Sequence, residues 1–419
     1  MSAFESSLSP QIRLGMQCRE LHRYAEAERH FKDALAQDPN DDFALRLLAM
    51  TIHLQDNRER EALEVIDRAI GIDPNDAQNH AARAFVLSSL ARGADALRSA
   101  RTARELDPYL DAAMTAEAQA HFVMKNWAEG ERAAREALAI DPDDAMSANL
   151  LSHALRMQGK RSENDAQISG MLERDPENEH THFNAGWSAL NRGDHRTAET
   201  HFREALRLNP SFDPAREGLL TSFRARSPIY RGYLNYCIRM SRLKSGAQWA
   251  FILGLYLGFK ILRKVAEQFS PGLAIGIAVF YFVFVLWAFI ADPFGNFILL
   301  FDRFARYALR KMEKIEAAIV GGSVSVGFTA LVAGIVTGIF PATLLGGALV
   351  GASIPFSMVF TNKSRVGAIL FGSVGTCLVL GAVLAVIGFE IGITIATAGL
   401  MGCVLSTWLS NVPFLRRRY

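Results

Sequence analysis

Residues 73–108 read DPNDAQNHAARAFVLSSLARGADALRSARTARELDP, a stretch that opens and closes on the same Asp-Pro step. Working outward, that step recurs at Asp38-Pro39, Asp73-Pro74, Asp107-Pro108, Asp141-Pro142 and Asp175-Pro176, with Asn209-Pro210 as a sixth. The intervals are 35, 34, 34, 34 and 34 residues. A period of about 34 residues marks stacked helix-turn-helix units, because one helical hairpin cannot bury its apolar face alone and must lean on its neighbour. The first half of the chain therefore reads as a helical solenoid, an architecture that offers a binding surface far more often than a catalytic centre.

Counted back from each proline, three positions stay small through the units. One holds Gly15, Ala49, Ala84, Ala118, Ser152 and Gly186; the next Ala27, Ala62, Ala96, Gly130, Asn164 and Ala198; the third Ala34, Ala69, Ala103, Ala137, Met171 and Ala205. Small residues belong where helices cross closely, and bulky ones such as Phe31 and Phe202 fill the space between units. The proline disfavours the α conformation in the residue before it, and Asp or Asn there can hydrogen-bond the turn backbone. On these residues the chain resembles the tetratricopeptide repeat family over roughly residues 8–210. Asn164 and Met171 depart from the small-residue rule, so a looser or shifted crossing is expected in the fifth unit.

The second half is a different material. Half of all residues are hydrophobic and the formal charge is +2, yet charge gathers before about residue 245 and apolar residues after it. Apolar stretches run over 247–262, 271–291, 317–340, 342–360, 366–389 and 391–411. A hydrocarbon core about 30 Å thick needs about 20 mostly apolar helical residues, a length that all but the first reach. The fold class expected is all-α: a solenoid followed by a polytopic helical membrane bundle. Domains are expected at 1–222 (solenoid of about six repeats plus a capping helix), 223–246 (basic amphipathic linker) and 247–419 (membrane domain of about six spans).

Lysine and arginine set the orientation. Basic clusters stand at 224–244, at 303–314, at Lys363 and Arg365, and at Arg416, Arg417 and Arg418. Six spans with the repeats in the cytoplasm put all four clusters on the cytoplasmic side and leave only Lys260, Arg263 and Lys264 opposite. The start of the chain, MSAFESS, has neither a basic beginning nor an apolar core, so no secretory signal is read there. The expected setting is a multi-pass protein of the bacterial inner (cell) membrane, with repeats and C-terminus cytoplasmic. In the linker, Ile229, Tyr233, Tyr236, Cys237, Met240 and Leu243 form an apolar stripe at helical spacing between basic residues. That pattern suits a helix lying on an anionic leaflet, with Arg231, Arg239, Arg242 and Lys244 facing the membrane surface.

Motifs for chemistry are missing. The sequence has no GxSxG, no Walker-type phosphate loop, no HExxH and no GxGxxG. His180-x-His182, with His195 and His201 nearby, lacks a cysteine partner and reads as repeat surface rather than a metal site. Four cysteines without CxxC spacing read as reduced and structural. No enzyme activity and no cofactor are expected. Between Ile319 and Leu409 the only charges are Lys363, Arg365 and Glu390, all at predicted span ends, whereas ion and proton pathways usually hold ionisable groups inside the bundle.

The family resemblance implies that partners bind the inner face, made by the first helix of each unit. Carried onto this sequence, that face holds Phe85, Phe122, Arg156, Phe183 and Trp187, an aromatic surface with cationic points. The Asn and Lys array by which some members grip a peptide terminus is absent; Asn184 stands alone at its position. The function expected is a non-enzymatic membrane-anchored scaffold that recruits cytosolic proteins or peptides; the alternative is a repeat-regulated transporter or channel for a small neutral solute or lipid. Expected partners are a cytosolic protein or peptide and the anionic leaflet of a bilayer, with no nucleic acid. Recurrent GxxxG spacing leaves room for a homo-oligomer.

Overall fold

A computed structural model describes residues 8–55, 57–243, 245–362 and 364–409. Lys244, Lys363, Arg416, Arg417, Arg418 and the MSAFESS start lie outside the described residues. Among the described residues every regular element is a helix, so the all-α expectation holds. Two compact units emerge: Met1–Ser188 together with Arg242–Lys244, and Ala189–Ser241 together with Ser245–Tyr419.

The first unit is built from helices α1 (Pro10–Glu20), α2 (Tyr24–Gln37), α3 (Asp42–His53), α4 (Glu59–Ile72), α5 (Ala77–Ser89), α6 (Gly93–Leu106), α7 (Asp111–Val123), α8 (Trp127–Ile140), α9 (Ala145–Gln158), α10 (Arg161–Arg174) and the larger part of α11 (Glu179–Arg192). Each Asp-Pro step closes a unit through the same hydrogen bond. The side chains of Asp38, Asp73, Asp107, Asp141 and Asp175 each accept from the backbone N–H two residues on, and Asn209 does the same further along the chain. Asp41, Asp76 and Asp144 then cap the N-termini of α3, α5 and α9. All three small-residue positions are buried in every unit. A methyl on Gly15 would meet the Phe31 ring at 2.5 Å, so the glycine is what admits the phenyl.

The fifth unit differs in chemistry. Asn164 is buried and accepts from Ser152 Oγ at 2.8 Å, while its amide donates to Ser188 Oγ at 3.1 Å. A buried polar chain holds this crossing where alanine or glycine stands in the others.

Between the two helices of each hairpin the backbone enters the left-handed region at one repeating place: His22, Asn57, Ala91, Lys125, Gly159 and Gly193. The same turn is thus made six times, two of them, at Ala91 and Lys125, by residues with no intrinsic taste for it.

The second unit holds α12 (His195–Leu208), a capping helix α13 (Asp213–Arg224), α14 (Pro228–Ser241), α15 (Ser245–Phe269), α16 (Pro271–Leu299), the single turn α17 (Ala305–Ala308), and α18 (Lys311–Thr337), α19 (Phe340–Thr361), α20 (Arg365–Ile387) and α21 (Glu390–Leu409). Among the described residues five helices, α16 and α18 to α21, are long and apolar enough to cross a membrane. Helix α15 has the length, 25 residues, but its last ten include Lys260, Arg263, Lys264 and Glu267. It pairs with α16 through a stack of Phe259 on Tyr281, with centroids 4.1 Å apart. At the centre of the bundle lies α19, whose Val350, Ile354 and Met358 cluster with Leu286, Ile290, Val320 and Phe371. Glycines allow backbone contact within the two hairpins: a Cβ on Gly346 would lie 2.3 Å from Leu331 N, and one on Gly381 2.3 Å from Ala396 N. Of the GxxxG residues, Gly334 and Gly392 serve in this way, while Gly254, Gly258, Gly276 and Gly347 face open space.

Candidate functional site

The expected partner residues of the repeats lie on α5, α7, α9 and α11. Phe85 is half-buried against the Ala84, Ala100 and Ala116 cluster, within its own part of the array. The other four belong to one run of contacts. Phe122 meets His153 edge-on at 4.4 Å, Arg156 Nη2 reaches His153 Nδ1 at 2.8 Å, the Arg156 guanidinium lies 5.7 Å from the Trp187 ring centroid, and Trp187 meets Phe183 at 6.4 Å. Trp127 joins this run from the first position of α8, 5.6 Å from Phe122 and 5.9 Å from His153. All five aromatic and cationic members, Phe122, Trp127, Arg156, Phe183 and Trp187, are half-buried rather than sealed into the seams.

Electrostatics make this surface unusual. A guanidinium can only donate, so His153 Nδ1 accepts from Arg156 and the imidazole proton sits on Nε2. Burial, with Arg156 adding to it, pushes His153 well below its ordinary range and keeps it neutral. Burial, with help from neighbouring Arg242, lowers Arg156 to about 10. Both His153 Nε2 and Arg156 Nε are buried without a hydrogen-bond partner. Buried donors left unmade cost roughly 1–3 kcal/mol each, which a bound acceptor would recover. The rim is ordered: Glu131 accepts from Gln158 at 2.6 Å and pairs with Lys160 at 2.8 Å and Arg135 at 2.9 Å.

Arg242, expected at the membrane surface, makes contacts with the repeats. Its Nη2 donates to the Arg156 carbonyl at 3.3 Å and its own carbonyl accepts from Trp127. Arg231 and Arg239 stand on α14, half-buried and exposed respectively. Two tyrosines of the α14 stripe pack on protein while Ile229 stays exposed: Tyr236 meets Phe284 at 5.9 Å and Phe251 at 6.4 Å, and Tyr233 Oη reaches the Ala288 carbonyl at 3.5 Å. His182, one of the histidines set aside as a metal ligand, donates to the Pro176 carbonyl at 3.0 Å.

The second unit contains a polar site that the sequence reading did not find. Arg224, at the end of the capping helix, is 5% exposed. Its Nε donates to Asn296 at 2.9 Å, Nη1 to Asp292 at 3.0 Å and to Tyr230 Oη at 3.3 Å, and Nη2 to Glu217 at 3.1 Å. Tyr230 donates in turn to Asp292 at 2.6 Å. Gly295 leaves room for the arginine stem, since a Cβ there would lie 3.0 Å from Arg224 Cδ. A cavity of about 380 Å³ opens beside this group, reaching Glu313, Glu316, Ser357 and Thr361. Outside it, Arg216 holds Glu313 with two bonds of 2.9 and 2.8 Å, Arg226 bridges Glu199 and Asp302, and Arg310 pairs with Asp213. The capping helix is thereby bound to α16 and the start of α18.

The tetratricopeptide repeat family model matches residues 19–84 and again 179–212. The N-terminal half therefore carries tetratricopeptide repeats. Repeats of this kind generally bind peptides or proteins and generally act as scaffolds, so the chain carries a protein-interaction module in its N-terminal half. A similar curated protein is the DnaJ homolog subfamily C member 7 homolog of Schizosaccharomyces pombe, 28% identical over 149 residues, 32% of this chain and 31% of that one. The chain thus spans about a third of the length of that relative. Among solved structures, a tetratricopeptide repeat protein from Parabacteroides merdae is 17% identical, covering 50% of this chain and 81% of that one with a TM-score of 0.44. PilW, a type IV pilus biogenesis factor, is 19% identical, covering 50% and 96% with a TM-score of 0.42.

Proposed function

We propose that this tetratricopeptide repeat protein is a non-enzymatic, membrane-anchored scaffold whose repeats bind a cytosolic protein or peptide and hold it at the membrane. One observation carries the reading: Phe122, Trp127, His153, Arg156, Trp187 and Phe183 form a continuous half-buried surface with unmade donors. Aromatics and arginine in such a setting are what binding hot spots are made of. Function divides at the linker, with residues 1–222 for recognition, 223–246 for connection and 247–419 for anchoring. The anchor is a six-span bundle in a bacterial inner membrane with both ends cytoplasmic, α15 supplying the first crossing. Its terminal Lys260, Arg263 and Lys264 reach the far headgroups by snorkelling. Photo-crosslinkers placed at Phe122 and Phe183 in native membranes should trap the same protein partner, and adducts to lipid alone would contradict the reading.

A cavity of about 720 Å³ favours a second reading, transport of an apolar solute or lipid under control of the repeats. It lies between α19, α20 and α21 and is lined by residues such as Phe340, Leu344, Ala348, Ala382 and Ala396. The polar version of that reading loses support, because the hydroxyls of Thr329, Thr337, Ser353, Ser373, Thr376 and Thr397 each donate to a carbonyl of their own helix. Flux through the reconstituted full chain separates the two.

A further inference from the structure

A piece of the chain itself is seated on the repeats. Trp127 Nε1 donates to the carbonyl of Arg242 at 3.1 Å and Lys125 Nζ to the carbonyl of Leu243 at 3.3 Å. The Arg242 side chain closes the contact by donating to the Arg156 carbonyl at 3.3 Å. Two consecutive main-chain carbonyls are therefore held by two donors of one hairpin turn. Lys125 is its left-handed residue and Trp127 the first residue of α8. Main-chain capture of this sort is how a groove holds a peptide largely without regard to its side chains. The grouping of contacts says the same: Arg242–Lys244 falls with Met1–Ser188, although the chain on both sides of it falls with the other unit. These residues stand in the groove as a ligand would.

The seated side chain brings a like charge to Arg156. Arg242 lies beside Arg156, which makes no ion pair among the described residues and keeps a buried Nε without a partner. Neutral His153 offers no compensation, and Lys125 adds a third basic group at the mouth. A carboxylate at the same spot would meet Arg156 with opposite charge, and charge-assisted bonds to arginine are among the strongest available.

Resting on the scaffold reading, we infer that Arg242–Leu243 is a built-in occupant of the peptide groove, and that the true partner is an acidic peptide that displaces it. Its carboxylate pairs with Arg156 and its main-chain carbonyls take over Trp127 Nε1 and Lys125 Nζ. Partner binding then frees the residues that immediately precede α15. Because the groove is filled at rest, the apparent affinity of the partner is reduced by the fraction of open grooves.

The test uses the full chain in nanodiscs, a fluorescent acetylated peptide of alternating Asp and Leu, and a Lys/Leu counterpart. Binding is read by anisotropy, and release of the segment by tryptic cleavage after Arg242, followed by mass spectrometry. The acidic peptide is expected to bind and raise that cleavage, and the basic one to do neither. Trp127→Phe keeps the ring but removes the donor, and should raise cleavage without peptide about fivefold, the factor for one net hydrogen bond. Lys125→Gln gives the same answer independently should Trp127→Phe fold poorly. Arg156→Gln should abolish acidic-peptide binding. Peptide binding with unchanged cleavage after Arg242 would overturn the displacement and leave the scaffold reading standing. Equal binding of both peptides, undiminished binding by Arg156→Gln, or no binding of the acidic peptide would each overturn the assignment of partner. The scaffold reading fails separately, through loss of any effect at Phe183 and Trp187 on the native partner.

Discussion

Arg224 and Asp292, 68 residues apart in the chain, meet at 3.0 Å with the arginine side chain 3% exposed and the aspartate 54% exposed. The pair ties the cap of the repeat array to the longest apolar helix. Attraction to Asp292, with Tyr230 and Glu217 adding to it, outweighs the cost of burial and holds the guanidinium above its ordinary range, so it is charged throughout the accessible pH scale.

The acids around Arg224 are half exposed, so its removal costs the hydrogen bonds of the guanidinium rather than stranding a buried charge. Arg224→Ala should lower stability in detergent by about 1.5–3 kcal/mol, whereas Arg226→Ala, at a more exposed pair, should cost at most about 1 kcal/mol. Thermal unfolding of the two variants checks this. By the same logic a fragment ending at residue 226 loses Asp292 and Asn296, and its capping helix should exchange amide hydrogens faster than in the full chain.

The left-handed turns give a prediction of opposite sign. Ala91 has φ of 58°, a conformation costing a residue with a Cβ roughly 1 kcal/mol, while Gly159 and Gly193 occupy the equivalent place freely. Ala91→Gly should therefore be neutral or stabilising by up to about 1 kcal/mol, although glycine normally weakens a helical protein. A marked loss in chemical denaturation would mean the turn is not made as described.

Crossings of the repeats resist enlargement. Ala198 is fully buried, and Ala198→Leu should overpack its crossing at a cost of about 1–3 kcal/mol. Gly218→Ala tests the neighbouring seam, since its new methyl would lie 2.4 Å from the Phe202 ring. Circular dichroism melts of both variants should fall below that of the parent.

Acid should loosen the first repeats. Arg58, with Lys32 and Gln55 assisting, holds the Glu28 carboxylate down to about 2. A carboxylate whose folded value lies below its unfolded value stabilises the fold above the unfolded value. That contribution fades as pH falls from about 4.5 toward 2. Glu28→Gln should flatten stability against pH over that window and leave the profile above it unchanged in slope.

Much of the fold was legible because its signals are local. An Asp-Pro step carries its own turn chemistry, and each of the six makes the expected hydrogen bond within two residues. The left-handed position was invisible because His22, Ala91 and Lys125 share no side-chain chemistry; tertiary packing imposes the turn. Phe122, Arg156, Phe183 and Trp187 were reachable by repeat spacing, but Trp127 was not, since it starts a second helix and turns toward the same surface. Arg224 was read only as part of the basic cluster that sets orientation because its partners stand far along the chain. Arg226 and Arg310 are likewise paired, with Asp302 and Asp213.

The central claim is that the aromatic and cationic run on the inner helices binds a partner, and the double substitution Phe183→Ala with Trp187→Ala tests it most directly. In the full chain, helicity and membrane insertion should stay at parent levels while affinity for the crosslinked partner falls by at least about 2 kcal/mol, roughly thirtyfold in Kd. Parent-like affinity with intact helicity, or a collapse of helicity that shows these rings to be structural core, would contradict the account.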